Sequence, residues 1–146
     1  MIRRAIVTWV LMVPIAILNG GLRESLVEPQ VGERAANQIS VVTGSLAFFT
    51  LIYVMLRRNA PAKTDRWLLG LGGAWVAATV VFEFVFGHLV MGKAWSYLLA
   101  DYNVLEGRLW PVVLVVVGIA PLAVKRIANT RHDLGDPVGG HHAAAS

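Results

Sequence analysis

The sequence contains no cysteine, and only 15% of its 146 residues are charged. The absence of cysteine excludes disulfides, thiolate metal sites, covalently attached haem and thiol catalysis. The charged fraction is well below the roughly 25% of an ordinary soluble domain. Such a low charged fraction, together with 56% hydrophobic residues, is typical of an integral membrane protein.

Four apolar runs are each long enough to cross a bilayer, and they cover residues 5–22, 39–56, 67–90 and 109–124, the last continuing to 128. The first run follows a basic start, as in a secretory signal, but it is long and lacks a small-x-small cleavage site, so we expect a retained helix. We therefore predict a four-span membrane domain over residues 1–128. The tail, residues 129–146, has few large apolar residues, and we expect it to be disordered and cytoplasmic.

The segment between the third and fourth runs has apolar residues at helical spacing, which predicts a short interfacial helix. These residues are Trp95, Leu98, Leu99, Tyr102 and Leu105. Gly107 would end that helix, and Pro111 suits the first turn of a new one. The alternative is one long helix from about Lys93 with a kink at Pro111. The predicted fold is an all-α, four-helix transmembrane bundle with this interfacial helix before the last span.

Lysine and arginine are distributed unevenly about the four runs. Nine of the 13 fall on one side, namely Arg3, Arg4, Arg57, Arg58, Lys63, Arg66, Lys125, Arg126 and Arg131, and Arg23, Arg34, Lys93 and Arg108 fall on the other. By the positive-inside rule, both termini and residues 57–66 are expected in the cytoplasm. In a bacterium this predicts a multi-pass inner-membrane protein, with residues 23–38 and 91–108 facing the periplasm.

Polar residues near the ends of the runs fall on that periplasmic side. They are Asn19, Arg23, Glu24, Asn37, Gln38, Ser40, Glu83, His88 and Arg108. Because antiparallel spans bring these ends to one level, a polar cluster is expected there. The cluster either lines a pocket for a proton, an ion or a small polar solute, or is a structural staple, and the sequence favours neither.

Glu83 is the most demanding member of the cluster, since a charge at mid-membrane costs about 2.5 to 3.5 kcal/mol. We predict that it faces a stripe of Gly72, Val76 and Thr79 and pairs with Arg108, with Arg23 as the second candidate. His88 is five positions further on, about 140° around the helix. We therefore expect packing or hydrogen bonding from His88, and no shared metal ion.

Other residues of the spans have structural interpretations. Trp9, Trp67, Trp95 and Trp110 lie near predicted interfaces and are expected to be membrane anchors. Small residues of the third run, from Gly70 to Ala78, permit close helix packing within the chain, with homodimerisation as the alternative.

The segments "LNGGLRE", "EFVFGH" and "DYNVLEGRLWP" resemble an uncharacterised family of small bacterial four-span inner-membrane proteins, over most of the chain up to about Lys125. The resemblance transfers no activity. It implies that a shared role would involve Asn19, Arg23, Glu24, Glu83, His88, Asp101, Tyr102, Asn103 and Arg108.

Three classes of function stay open. We rank first a non-catalytic accessory or assembly protein, then a small transporter or channel using Glu83, then a membrane enzyme at the periplasmic face. The enzyme is ranked last because no nucleophile with an adjacent base, metal-ligand spacing or phosphate-binding loop is present. No metal, cofactor or nucleic acid is expected. The expected partners are the lipid bilayer and either a larger membrane complex or a second copy of the chain.

Overall fold

The computed structural model describes residues 1–100, 102–106 and 109–135, and in that part of the chain every regular element is helical. The helices are α1 Ile2–Leu22, α2 Glu28–Val31, α3 Glu33–Leu56, α4 Asp65–Val85, α5 Trp95–Ala100 and α6 Trp110–Gly135. A first π segment, Arg23–Val27, joins α1 to α2, and a second, Phe86–Val90, extends α4. Val104–Glu106 form a 3₁₀ turn.

Four helical stretches are long and apolar enough to cross a membrane, which confirms the predicted all-α, four-span architecture. They are Ile2–Val31, Glu33–Leu56, Asp65–Val90 and Trp110–Arg131. Large apolar side chains such as Leu46, Val81 and Val115 are about 60% or more exposed, as lipid-facing residues would be. We call the end of the bundle with the termini and the 57–64 loop the terminal end, and the opposite end the π end.

The helices extend beyond the apolar runs. Residues 23–38 are predicted as a segment between spans, yet they are helical except at Gly32, whose φ of 82° separates α2 from α3. Hydropathy marks where a chain leaves lipid, whereas helical hydrogen bonding continues through good helix formers such as Arg34 and Ala35. At the other end of the chain, α6 continues past residue 128 to Gly135, and the Arg131 guanidinium lies 5.7 Å from the Tyr53 ring centre. Residues 129–135, predicted to belong to the disordered tail, are therefore helical, and residues 136–146 lie outside the described part.

The connection between the third and fourth spans follows the first of the two alternatives. The short helix is present as α5, but it ends at Ala100, and Leu105 is fully exposed in the 3₁₀ turn. The interfacial helix is therefore shorter than predicted, since the expected apolar face also included Tyr102 and Leu105. A separate helix begins at Trp110 with Pro111 in its first turn, where a missing N–H leaves no intrahelical bond unmade.

The four spans pack in the order α1, α3, α6, α4, each closely against the next. The ring closes less tightly between α4 and α1. Most of the large side chains that are fully buried lie toward the terminal end, including Ile52, Leu56, Leu68, Pro121 and Val124, whereas Val113 and Val117 lie nearer the π end of α6. Lys125 closes this end by reaching the Asp65 carboxylate and the Lys63 carbonyl, both at 2.7 Å, and Arg126 reaches Asp65 at 2.8 Å.

The closest helix contact joins α4 to α6. A Cβ built on Gly72 would lie 1.8 Å from the Gly118 carbonyl oxygen, so only glycine fits at position 72. The predicted stripe therefore does face the bundle interior, with Gly72 buried and Val76 against the core. Such close approach strengthens the dispersion contacts on which helix association in lipid depends.

We expect Gly72→Ala to destabilise the bundle by about 1 to 3 kcal/mol or more, because α4 and α6 must separate to admit the methyl group. Gly73→Ala is the matched control, since nothing lies within 4 Å of its added Cβ. That control should be neutral, or stabilising by up to about 1 kcal/mol through helix propensity. Thermal unfolding in detergent, followed by circular dichroism, measures both. Equal effects of the two variants would contradict the close contact.

Candidate functional site

The carboxylate of Glu83 connects three parts of the chain at the π end. Its Oε2 atom accepts hydrogen bonds from the Tyr102 hydroxyl and the Trp110 indole N–H, each at 2.7 Å. Tyr102 follows α5 and Trp110 begins α6, so the acid joins α4 to both. Bonds to a charged acceptor are roughly twice as strong as neutral ones. These two donors therefore stabilise an acid that would otherwise be costly in an apolar span.

Arg108, the predicted cation for Glu83, lies outside the described residues, as does Asp101. The pairing of Glu83 with Arg108 therefore stays a prediction. The sequence analysis includes Tyr102 among the site residues, but it assigns neither Tyr102 nor Trp110 as a donor to Glu83. Trp110 was assigned to the membrane interface, although an indole N–H at the start of the fourth span is a donor that could have been counted toward the acid.

Asn19 fastens α1 to α3. Its amide nitrogen donates to the Ser40 carbonyl at 2.9 Å and to the Ser40 hydroxyl at 2.8 Å. Its amide oxygen accepts from the Thr43 hydroxyl at 2.8 Å. Gly44 leaves room for this amide, since a Cβ at Gly44 would lie 2.9 Å from the Asn19 nitrogen. Asn19 therefore has its hydrogen-bonding capacity used by α3, which favours a structural role.

Asn37, and not Gln38, is the buried amide at the start of α3. Asn37 is 9% exposed, and its amide oxygen accepts from the backbone N–H of Leu109 at 3.4 Å, just before α6. Gln38 is exposed and lies outside the cavity described below. Neighbouring residues of a helix point about 100° apart. Gln38, which is predicted as a site residue, therefore lies on a different side of α3 from Asn37 and outside the cavity lining. The Asn37 amide N–H₂ has no partner among the described residues.

Arg23, Glu24 and Lys93 form a small ionic group at the mouth of the π end. Arg23 Nη2 lies 3.0 Å and Lys93 Nζ 3.6 Å from the same Glu24 oxygen. The Arg23 side chain is only 21% exposed, against 46% for Glu24. Its Nε atom is buried without a hydrogen-bond partner in the described part of the chain. Lys93, which connects the α4 side to α1 through Glu24, was not among the predicted site residues.

These groups surround a cavity of about 320 Å³ between α1, α3 and α4. Its polar lining comes from Asn19, Arg23, Glu24, Asn37, Ser40, Thr79, Glu83 and Lys93. Its apolar lining includes Ile17, Phe48, Phe82, Phe86, Met91 and Trp110. Of the predicted cluster, Asn19, Arg23, Glu24 and Glu83 line this cavity, and they come from two different spans. Exposed residues such as Glu24 and Met91 also line the cavity, so it opens at the surface.

Both π segments border this cavity, through Arg23 and Glu24 on one and Phe86 and Gly87 on the other. Gly87 is buried against Leu98 of α5, where an added Cβ would lie 2.7 Å from a leucine methyl. Single π turns inserted in α-helices are rare and are frequently found at functional sites. Nothing in the amino-acid pattern predicted either one.

His88 and Asn103 lie outside the cavity lining. The His88 ring is stacked on Trp95 with centres 4.1 Å apart, and its Nδ1 atom lies 2.9 Å from the Lys93 carbonyl oxygen. The expected packing and hydrogen-bonding role is thus confirmed. Asn103 donates its backbone N–H to the Ala100 carbonyl. No group of three potential metal-ligating His, Cys, Asp or Glu side chains occurs among the residues described.

Two of the four tryptophans assigned as membrane anchors have other roles. Trp9 lies inside the bundle, where its indole N–H donates to the Thr79 hydroxyl at 3.2 Å and its ring meets Phe82 edge-on. Trp110 donates to Glu83. Periodicity places a tryptophan near a span end, but it does not show which way the side chain faces. Here the indole N–H of Trp9 donates to the Thr79 hydroxyl and that of Trp110 donates to the Glu83 carboxylate.

No protein-family model matches the chain, and no curated protein and no solved structure matches it either. The role of the cavity therefore has to be argued from its geometry and chemistry.

We expect Trp110→Phe to destabilise the fold by about 1 to 2 kcal/mol, because it removes one charge-assisted donor from Glu83. Trp95→Phe is the control, since Trp95 is 51% exposed and makes only ring contacts among the described residues. In a Glu83→Gln background the effect of Trp110→Phe should shrink. A double-mutant cycle of detergent stability tests this, and strictly additive effects would show that the bond contributes nothing.

Proposed function

We propose that the chain is a multi-pass protein of a bacterial inner membrane with both termini and the 57–64 loop in the cytoplasm. The four apolar helices support the membrane assignment, and the nine-to-four distribution of Lys and Arg supports the orientation. In this orientation the π end and its cavity face the periplasm. The resemblance to four-span bacterial inner-membrane proteins is consistent with this location.

Single cysteines introduced at Ala62 and Gln30 test the orientation, since the chain has no cysteine of its own and both positions are exposed. The outer membrane is made permeable while the inner membrane stays intact. An impermeant thiol reagent should then label Gln30→Cys and spare Ala62→Cys. Both should react after lysis. The reverse pattern would place the cavity on the cytoplasmic side.

We further propose that the protein binds a small molecule in the cavity at the π end, either to carry it or to present it to a partner. The observation that supports this most strongly is the cavity itself. Its volume of about 320 Å³ is at the lower end of the roughly 300 to 1,000 Å³ of ligand pockets. Its walls are mainly apolar, with a few polar groups converging from separate elements, which is the usual composition of a binding site. The flanking π segments support the same interpretation.

An accessory or assembly protein is the second candidate. Asn19 and Glu83 both make their hydrogen bonds within the chain, as a purely structural polar cluster would. Under this alternative, the protein would act through a larger membrane complex or a second copy, and the cavity would be incidental. The periplasmic enzyme is the third candidate. Among the described residues no serine or threonine hydroxyl is hydrogen-bonded to a histidine, and the Tyr102 hydroxyl that donates to Glu83 would be its starting point.

Ala16 lines the cavity on α1, and Ala77 is an exposed alanine on α4 outside it. We expect Ala16→Phe to fill the cavity and to abolish a non-covalently retained mass in native mass spectra of the chain released from membranes. Ala77→Phe adds the same volume elsewhere and should leave that mass in place. A bare wild-type chain, or a mass that survives Ala16→Phe, would contradict ligand binding and favour the accessory role.

A further inference from the structure

We infer that the cavity accepts an alkyl amphiphile whose head group carries anionic oxygens, a carboxylate or a phosphate, and that this molecule reaches it from the membrane between α1 and α4. The inference rests on the proposed ligand-binding function and specifies its ligand class.

The head group is indicated by hydrogen-bond donors on the cavity wall that the chain does not use. Arg23 has five N–H groups, yet among the described residues only its Nη2 has a partner, and its Nε is buried. Asn37, 9% exposed, also lines the cavity, and its amide N–H₂ has no hydrogen-bond partner among the described residues. Because an unsatisfied buried donor is costly, a ligand that presents acceptor oxygens would be stabilised here.

The acceptors of the same wall already have partners in the chain, including the two carboxylates, since Glu24 contacts Arg23 and Lys93 and Glu83 accepts from Tyr102 and Trp110. The oxygens of Ser40 accept from Asn19, the amide oxygen of Asn19 accepts from Thr43, and the Thr79 hydroxyl accepts from Trp9. A ligand head group rich in donors would therefore find few partners on α1 and α3. A guanidinium binds carboxylate and phosphate oxygens in a two-pronged geometry, and Lys93 at the mouth adds a second cation.

The tail is indicated by the apolar side of the cavity. Ile17 on α1 and Met91 after α4 both line it, and they are 48% and 53% exposed. They therefore form the rim of an opening on the α1–α4 side, where the backbones of the spans approach each other least. Trp9 closes this side only lower down, at Thr79 and Phe82. An alkyl chain leaving the cavity past the exposed rim residues Ile17 and Met91 would pass directly into lipid.

The size of the cavity agrees with such a ligand. Its 320 Å³ corresponds to roughly ten water molecules at about 30 Å³ each, enough for a head group and the first part of a chain. The remainder of the chain would lie between the helices and the bilayer.

The test uses photoaffinity labelling of the full chain in phosphatidylcholine nanodiscs. The probe is dodecanoate with a diazirine at its terminal carbon, and the matched probe carries the same chain on a trimethylammonium head. We expect saturable labelling of residues on the α1–α4 side by the carboxylate probe, and competition by unlabelled dodecanoate or dodecyl phosphate. Inorganic phosphate and acetate should compete poorly, since they lack the alkyl chain.

In Arg23→Gln the half-saturating probe concentration should rise about tenfold to a hundredfold, the equivalent of one or two charge-assisted hydrogen bonds. Arg34→Gln is the matched control, because Arg34 is an exposed arginine at the same end and outside the cavity. Lys93→Gln should weaken labelling less than Arg23→Gln, and it provides a second variant if Arg23→Gln does not fold.

Stronger labelling by the ammonium probe would overturn the anionic head group, and equal competition by inorganic phosphate would overturn the alkyl tail. An unchanged half-saturating concentration in both Arg23→Gln and Lys93→Gln would contradict the proposal that these two cations bind the head group. Each of these results leaves the proposed ligand binding intact, since that is judged separately by the mass retained in wild type and lost in Ala16→Phe.

Discussion

The backbone contact of Gly72 with Gly118 positions the α4–α6 side of the π end. It brings the backbones of α4 and α6 into close contact at glycine. From this point α4 continues to the π end, and α6, which begins at that end, runs in the opposite direction. Because the two helices are fixed there, Glu83 of α4 and Trp110 of α6 arrive within hydrogen-bonding distance, and Tyr102 completes the set from the connecting segment. In lipid, where apolar side chains gain little by leaving their surroundings, such close backbone packing and these few hydrogen bonds are the main forces that hold the spans together.

A second fastening, independent of the first, joins α1 to α3. Asn19 bonds both Ser40 and Thr43, and Gly44 provides the space for it. Asn37 then links α3 to the start of α6 through Leu109. The polar contacts at the π end thus follow the order α1, α3, α6, α4, whereas on the remaining side, between α4 and α1, the Trp9–Thr79 hydrogen bond lies deeper in the bundle. On this side the mouth is spanned by the looser Glu24–Lys93 pair, at 3.6 Å and half-exposed on the Glu24 side. An exposed pair of this kind contributes at most about 1 kcal/mol.

The sequence was sufficient for the number of spans, their approximate limits, the short helix before the fourth span and the concentration of polar groups at one end. These features depend on hydropathy and on antiparallel topology, both of which can be read residue by residue. The details of the site could not be obtained in this way. Whether Asn37 or Gln38 faces inward depends on one residue of helical phase, and the donors to Glu83 depend on the packing of α6 against α4. The π segments insert extra residues into a turn, which shifts every later side chain around its helix and leaves no compositional mark.

The contrast between the two ends explains why a cavity forms where it does. At the terminal end, Leu56, Leu68 and Val124 are fully buried, and Lys125 joins Lys63 and Asp65, so the helices converge on a filled core. Toward the π end, α1 and α4 each continue into a π segment. The wider π turn rotates the residues that follow it relative to the preceding α-helix. The cavity lies between these helices and α3, lined by residues that precede the π segments, such as Ile17 and Thr79, and by residues within them, such as Arg23 and Phe86. The polar groups lie around this space because the same end carries the span termini, where charged and amide side chains are least costly. The cavity therefore lies at the end of the bundle where polar residues are concentrated and where two of the helices depart from regular α geometry.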